Sequence, residues 1–420
     1  MKVLFIVKSK TIETLGPMYL AAVVKKCGHE AFITSIDGAD GAEPIARVWK
    51  PDIIGYSIMT GDREKFMELD EALKTHLSFI SIVGGPDVTF FPQGYDWADH
   101  AIQGEGENWI ADYLSGKRLK MDAFPDIDSF PEPDRSDFPG MRVRDFLASR
   151  GCTNSCNYCY SATFVKMFPD IPRIRVRDPH AVIAEVSKVQ PEFAYFQDST
   201  FGVSIEWLRI FSQHYGMKIR IPFHVHLRPD HAIAERITLL SDAGCVSVKM
   251  ALETASDRLR KLVNRGNTSN EDVYTAARLL RKEKIALILQ SMLGLPSATI
   301  EDDLETLAVN IKCKPAYAWC SIFQPYPQTG LAKYCEKKGL YLGNYTEIGD
   351  NFFDKSVLNI PNKHKEQLAC LQRIFAFCVE MQVMPEVNDL TWKKLPKFIH
   401  QTMRKIGDRR MFPGIIFSPE

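Results

Sequence analysis

Short apolar runs alternate with helical patterns along most of the chain, and no other feature limits its fold as tightly. In residues 1–115 the runs Val3–Val7, Ala31–Ile36, Asp52–Ile58, Phe79–Val83 and His100–Gln103 read as strands. Gly16-Pro17 opens a helix through Cys27, and Arg63–Thr75 reads as another. Apolar strands spaced by helices specify a parallel sheet with helices on its faces. The expectation is a doubly wound α/β domain, whose ligands bind at the carboxyl ends of the strands.

Residues 116–145 are rich in Pro and Asp and read as a linker. Alternation resumes in 146–335, with strands expected at Phe146–Ser149, Phe193–Asp198, Phe223–Arg228, Ser247–Glu253, Ala286–Leu293 and Trp319–Gln324. Such repeated strand–helix units predict a partial (β/α)6 barrel. Residues 336–420 form a smaller helical region, with helices expected at Lys365–Met381 and Pro396–Ile406.

Lys+Arg and Asp+Glu both number 52, so the formal net charge is zero. Binding driven by nucleic-acid phosphates is not expected from that balance. The basic run Lys393–Arg410 reads as a solvated helix face. No apolar stretch is long enough to span a bilayer, and Met1–Val7 reads as a strand rather than a signal peptide. The expected compartment is the cytoplasm. Of the 10 cysteines, Cys152, Cys156 and Cys159 lie together. A chain of 420 residues has no need of a disulfide scaffold, so this grouping points to metal binding.

Arg150-Gly151-Cys152-Thr153-Asn154-Ser155-Cys156-Asn157-Tyr158-Cys159-Tyr160 follows the first expected barrel strand, which puts the thiols on a loop at the catalytic end. Thiolates suit zinc or iron–sulfur clusters. A structural zinc site wants four ligands and here only three are close, so the readings are a cubane with one open iron, a zinc site closed by a distant His, or unrelated thiols. The spacing, with Tyr158 before the last cysteine, resembles the signature of the radical S-adenosylmethionine (SAM) superfamily. That resemblance implies a [4Fe–4S] cluster whose open iron chelates SAM, and reductive cleavage to a 5′-deoxyadenosyl radical. It also implies an external electron donor such as flavodoxin or ferredoxin.

The resemblance extends over most of 146–335. Ala251-Leu252-Glu253-Thr254 is similar to the family's Gly-x-Glu-Ser segment, whose Glu contacts the nucleotide. Gly294-Leu295-Pro296 resembles the turn that packs on adenine, and Asn264-Arg265-Gly266 a recurrent Asn-Arg-Gly. Pro325-Tyr326-Pro327-Gln328-Thr329 resembles Pro-Tyr-Pro-Gly-Thr. The departures are Ala251 and Gln328 for Gly and Thr254 for Ser. In Phe223–Arg228 and Ser247–Glu253 polar and apolar residues alternate, as expected of a polar lumen.

In the first domain Ser57, Met59, Thr60 and Gly61, then Gly84-Gly85-Pro86, then Gly104-Glu105-Gly106 fall at three strand ends. Glycines there let a flat ligand approach the backbone. The set is similar to the Rossmann-like cobalamin-binding domain that precedes many radical SAM enzymes. The resemblance implies a corrin between the two domains. No Asp-x-His-x-x-Gly occurs, so no protein histidine is expected below cobalt, and Asp87 replaces a His often found after Gly-Gly-Pro. The alternative is a domain that keeps the fold and has lost the corrin.

Other polar residues carry two readings each. Arg228 either pairs with the methionine carboxylate or with Asp230 or Glu253. Asp198 is either catalytic or a helix cap. His224 and His226 either handle protons or simply hydrogen-bond, and Tyr326 either lines the substrate pocket or fills core. Taken with the resemblance, the expectation is a cobalamin-dependent radical SAM methyltransferase. It would use one SAM for hydrogen abstraction from an unactivated carbon and a second to remethylate the corrin. Cyclisation or rearrangement without methyl transfer, and a non-catalytic iron–sulfur or corrin carrier, are the alternatives. The substrate class is open among small molecules, lipids, tetrapyrroles and peptides.

Overall fold

The computed structural model describes residues 1–36, 41–117, 126–349, 351–390, 407, 410 and 411. In the amino-terminal domain β1 (Lys2–Val7), β2 (Glu30–Ser35), β3 (Ile53–Ser57), β4 (Ile80–Gly84) and β5 (His100–Ala101) form a parallel sheet in the order β2-β1-β3-β4-β5. Alternation along β1 decides which side each residue covers. Val3 and Phe5 join Met18, Val24, Trp109 and Ile110 from the helices Leu15–Lys26 and Glu107–Leu114. Leu4 and Ile6 join Ala42, Ala46, Phe66 and Leu73 from Ala42–Trp49 and Arg63–Lys74. The helix Ala42–Trp49 was not expected. Pro44 reads as a breaker, but it lies in the first turn, where a missing N–H costs nothing. The chain reverses direction across the sheet between β1 and β3, which opens a crevice at their carboxyl ends.

The second domain begins with β6 (Val143–Phe146), followed by the antiparallel pair β7 (Ser149–Gly151) and β8 (Ile174–Val176). The strands β9 (Phe193–Phe196), β10 (Phe223–Leu227), β11 (Cys245–Glu253), β12 (Ala286–Leu293) and β13 (Tyr317–Ile322) complete it. All six barrel strands are parallel, in the order β13-β12-β11-β10-β9-β6, an open (β/α)6 barrel. The first barrel strand lies three residues before its expected position. Ser149 leaves the sheet to pair with Val176, and so starts the excursion that carries the cysteines.

Side-chain caps fix where several barrel helices begin. Ser269 with Asp272 and Thr299 with Asp302 form reciprocal capping boxes, and Ser204 and Thr329 accept from Trp207 and Ala332 N–H. The helix Asn362–Met381 packs Leu368, Leu371 and Phe375 against Leu307 and Ala318 on the outside of the last strands. The expected helix Pro396–Ile406 and most of the basic run Lys393–Arg410 lie outside the described residues.

Glu13 joins the two domains. Its buried carboxylate accepts from Arg144 at 2.7 Å and from the Asp145 N–H at 2.7 Å, and it is bridged by Arg135, whose other edge reaches Glu185 at 3.0 Å. Among the described residues no helix is long and apolar enough to cross a membrane.

Candidate active site

The cysteine loop is held from three sides. Cys152 N–H donates to the Arg173 carbonyl at 2.9 Å, Asn157 N–H to the Val263 carbonyl at 3.1 Å, and Leu331 N–H to the Asn157 carbonyl at 2.8 Å. All three cysteines are free thiols, with Cys156 buried and its neighbours partly so. Burial pushes the Cys159 thiol up, and Cys156 and Cys152 add to that because they face it. Among the described residues no trio of His, Cys, Asp or Glu is disposed to hold a single metal ion. Three thiols on one loop suit an iron–sulfur cluster, and zinc is the other metal that takes such ligands.

Beside the loop, the Tyr158 hydroxyl donates to Glu253 Oε1 at 2.7 Å. Arg265 reinforces the pair, with Nη1 3.2 Å from that hydroxyl and 3.6 Å from the carboxylate, and Nη2 donating to the Ala251 carbonyl at 2.6 Å. Burial, then the Glu253 charge, push Tyr158 well above its ordinary value, so the hydroxyl stays a donor. Glu253 Oε2 is buried with no hydrogen-bond partner. An unsatisfied buried carboxylate oxygen marks a place for an incoming hydroxyl or ammonium. Glu253 also adopts φ 63°, a left-handed strain of the kind stored at functional sites. Gln328 is left-handed too, at φ 62°, where the resembling segment carries Gly.

Arg228 takes Asp230, the partner of its ion-pair reading, and adds Cys156, which was not expected. Its guanidinium forks onto Asp230 at 2.9 and 3.1 Å, and its Nη1 lies 3.5 Å from Cys156 Sγ. Asp198 is buried at the end of β9 and accepts from Ala148 N–H at 3.0 Å and Ser149 Oγ at 2.5 Å. Burial pushes it up to about 6 against those bonds. It ties the start of the cysteine excursion to the barrel. Gly294 N–H points at the buried Asp303, and Gly294 adopts φ 65°, a conformation that favours glycine. Pro296 and Pro325 are buried in the neighbouring turns.

A cavity of about 410 Å³ lies between the two domains, within the ~300–1,000 Å³ of small-molecule sites. Ser57, Gly84, Gly85, Gly104, Glu105 and Gly106 line it, as do Leu147, Ser149, Arg150 and Gly151 from the second domain. It runs down the sheet face beneath the helix Leu15–Lys26, past Phe5 and Gly55. Met59, Thr60, Gly61 and Pro86 do not line it. Met59 is 52% exposed, and Thr60 meets the Tyr160 hydroxyl at 3.3 Å. Asp87 is directed away, held by Arg63 at 2.7 Å and the Tyr95 hydroxyl at 2.6 Å. Gly85, at φ 101°, is required by the protein itself, since a Cβ there would lie 2.7 Å from the Ile58 carbonyl.

Tyr160, directly after Cys159, stacks on Phe90 at 3.8 Å and reaches Tyr326 at 5.5 Å, so one aromatic array crosses the domain boundary. Sequence reasoning missed Tyr160, Phe90, Arg150 and Arg265 as site residues. Arg150 bonds Glu107 at 2.6 Å and Glu105 at 3.3 Å across the cavity wall. Of these, Arg265 carried a signal in the Asn-Arg-Gly segment.

Residues 1–114 match the B12 binding domain family, and residues 146–309 match the radical SAM superfamily. An uncharacterized methyltransferase, PH0819, from Pyrococcus horikoshii is 25% identical over 410 residues, covering 86% of each chain. Among solved structures, the cobalamin-dependent SAM radical enzyme OxsB, with aqua-cobalamin bound, aligns over 98% of this chain and 72% of its own, with a TM-score of 0.70 and 15% identity. The radical SAM methyltransferase TsrM from Kitasatospora setae, with tryptophan substrate and a SAM analogue bound, aligns over 80% and 76%, with a TM-score of 0.65 and 15% identity. At such identity these structures speak to the fold. The chain carries a radical SAM domain preceded by an amino-terminal B12-binding domain.

Proposed function

We propose that the protein is a cobalamin-dependent radical SAM methyltransferase that methylates an unactivated carbon. One observation carries this reading: the interdomain cavity is walled by Gly151, the residue before Cys152, so a corrin there adjoins the cysteine loop. The Pyrococcus relative described as a methyltransferase supports the same reading.

When bound, the cluster supplies the electron that cleaves SAM and the corrin supplies the methyl group. Cys152, Cys156 and Cys159 hold the cluster in this reading. Tyr158 and Arg265 fix Glu253, leaving Oε2 to accept from the nucleotide. Ser57, Gly84, Gly104 and Glu105 cradle the corrin, and the Phe90–Tyr160–Tyr326 array screens the space between the cofactors from water. Asp198 acts as a positioning residue through Ala148 and Ser149.

The test is anaerobic reconstitution with cobalamin and labelled SAM, followed by product analysis. Methyl transfer predicts 5′-deoxyadenosine and S-adenosylhomocysteine together. Deoxyadenosine alone assigns rearrangement or cyclisation instead, and neither product assigns a carrier.

A further inference from the structure

The barrel lumen holds a second polar cluster that neither the nucleotide site nor the corrin cavity uses. β10 and β11 run in register, placing His224 beside Ser247 and His226 beside Lys249. His226 Nδ1 faces the Asp198 carbonyl at 3.1 Å, which makes it the N–H donor. Nε2 then accepts from the Tyr195 hydroxyl at 2.9 Å. Burial, then the Lys249 charge, push His226 down to about 3, so this ring is neutral at physiological pH. His224 Nδ1 meets Ser247 Oγ at 2.7 Å. These groups are hydrogen-bonding walls without charge.

Lys249 differs from them. Its ammonium lies 4.7 Å over the Trp319 ring, and among the described residues no carboxylate comes within ion-pair distance of it. The other lumen cations are matched: Arg228 by Asp230 and Arg265 by Glu253. Trp319 is itself packed by Phe352 at 5.5 Å and Phe353 at 5.6 Å. Lys249, His226 and Trp319 are each only partly buried. Burial holds Lys249 below its ordinary value, and the charge of Glu253, which is shared with Arg265, only partly offsets this, so an entering anion stabilises the ammonium further. Aromatic faces beside it favour a flat or apolar body.

We propose that Lys249 and Trp319 are the substrate anchor, taking a carboxylate or phosphate carried on a flat, apolar body. Lys249 precedes Glu253 by four residues of β11, which is about 13 Å of strand. The anion is therefore bound deep in the barrel, and the reacting carbon lies several bonds away, toward the cysteine loop. This assignment rests on the lumen being the radical SAM active site.

The test uses the full-length reconstituted protein and two neutral-versus-charged probes, indole-3-propionate and indole-3-propionamide, followed by calorimetric titration. The acid is expected to bind at least tenfold more tightly than the amide. Lys249→Met removes that preference, Lys249→Arg keeps it, and SAM affinity stays within threefold in both. The proposal is overturned if the wild type binds neither probe or shows no preference. It is equally overturned if the preference survives in Lys249→Met, or if that variant loses SAM instead. The wild-type comparison holds whether or not the variants fold. Failure of the methyltransferase reading shows separately, as missing deoxyadenosine.

Discussion

Arg228 Nη1 lies 3.5 Å from Cys156 Sγ, while Asp230 grips the rest of the guanidinium at 2.9 and 3.1 Å. Asn267 braces both partners, accepting from Arg228 at 3.2 Å and donating to Asp230 at 3.0 Å. A fixed cation and N–H donor beside a cluster thiolate favours the more negative, reduced state. Arg228→Met is expected to lower the cluster potential by about 59 mV or more, a tenfold change for one electron. Arg228→Lys falls in between. Potentiometric titration followed by electron paramagnetic resonance reads this directly, and an unchanged potential contradicts the role.

Glu253 has one oxygen fixed by Tyr158 and the other unpartnered. Glu253→Gln is expected to weaken SAM binding at least tenfold, because a charge-assisted hydrogen bond is worth about 1.5–3 kcal/mol. Tyr158→Phe removes only the orienting bond, so its cost is nearer 1 kcal/mol. Equilibrium dialysis with labelled SAM ranks the two, and equal affinity in Glu253→Gln and wild type refutes the assignment.

Glu13 is the carboxylate on which Arg135, Arg144 and the Asp145 N–H converge. Glu13→Ala leaves two partly buried arginines short of counter-charge and is expected to cost about 3 kcal/mol of stability. Urea unfolding should show the domains separating into two transitions, whereas a wild-type midpoint would show that the network contributes nothing.

Asp145 provides a pH test. Burial pushes its carboxyl up to about 7, against the Gln197 hydrogen bond at 3.2 Å. The folded state therefore holds this proton more tightly than the unfolded chain. Its stabilising contribution is full below about pH 4 and is lost as pH rises through about 7. Asp145→Asn keeps an acceptor for Gln197 and removes the titration. The variant should gain on wild type between pH 4 and pH 8 by on the order of 4 kcal/mol. Parallel denaturation curves at the two pH values measure it, and a constant difference contradicts it.

Much of the fold was legible because parallel strands covered on both faces leave unbroken apolar runs, as in β1, β3 and β12. The six barrel strands follow from that pattern. The position of β6 did not, because Ser149 pairs locally with Val176 rather than continuing the sheet. In the candidate site, Glu253 and Tyr158 were singled out by the family resemblance, and the structure brings the two together. The loops at the strand ends were only partly legible. Gly85 lines the cavity and also admits the Ile58 backbone, while Asp87, a departure from the usual His, is tied to Arg63 and Tyr95. Arg150 and Tyr160 carried no readable signal, since their importance comes from meeting the other domain.

The account rests on three sulfurs sharing a cluster that opens SAM. The direct measurement is 5′-deoxyadenosine formed by the anaerobically reconstituted, dithionite-reduced protein, compared with Cys152→Ala, Cys156→Ala and Cys159→Ala. The wild type should make it, with iron and sulfide bound, and each variant should make none. Wild-type yield from any one of those variants, or a wild type that binds zinc and forms no deoxyadenosine, would contradict the account.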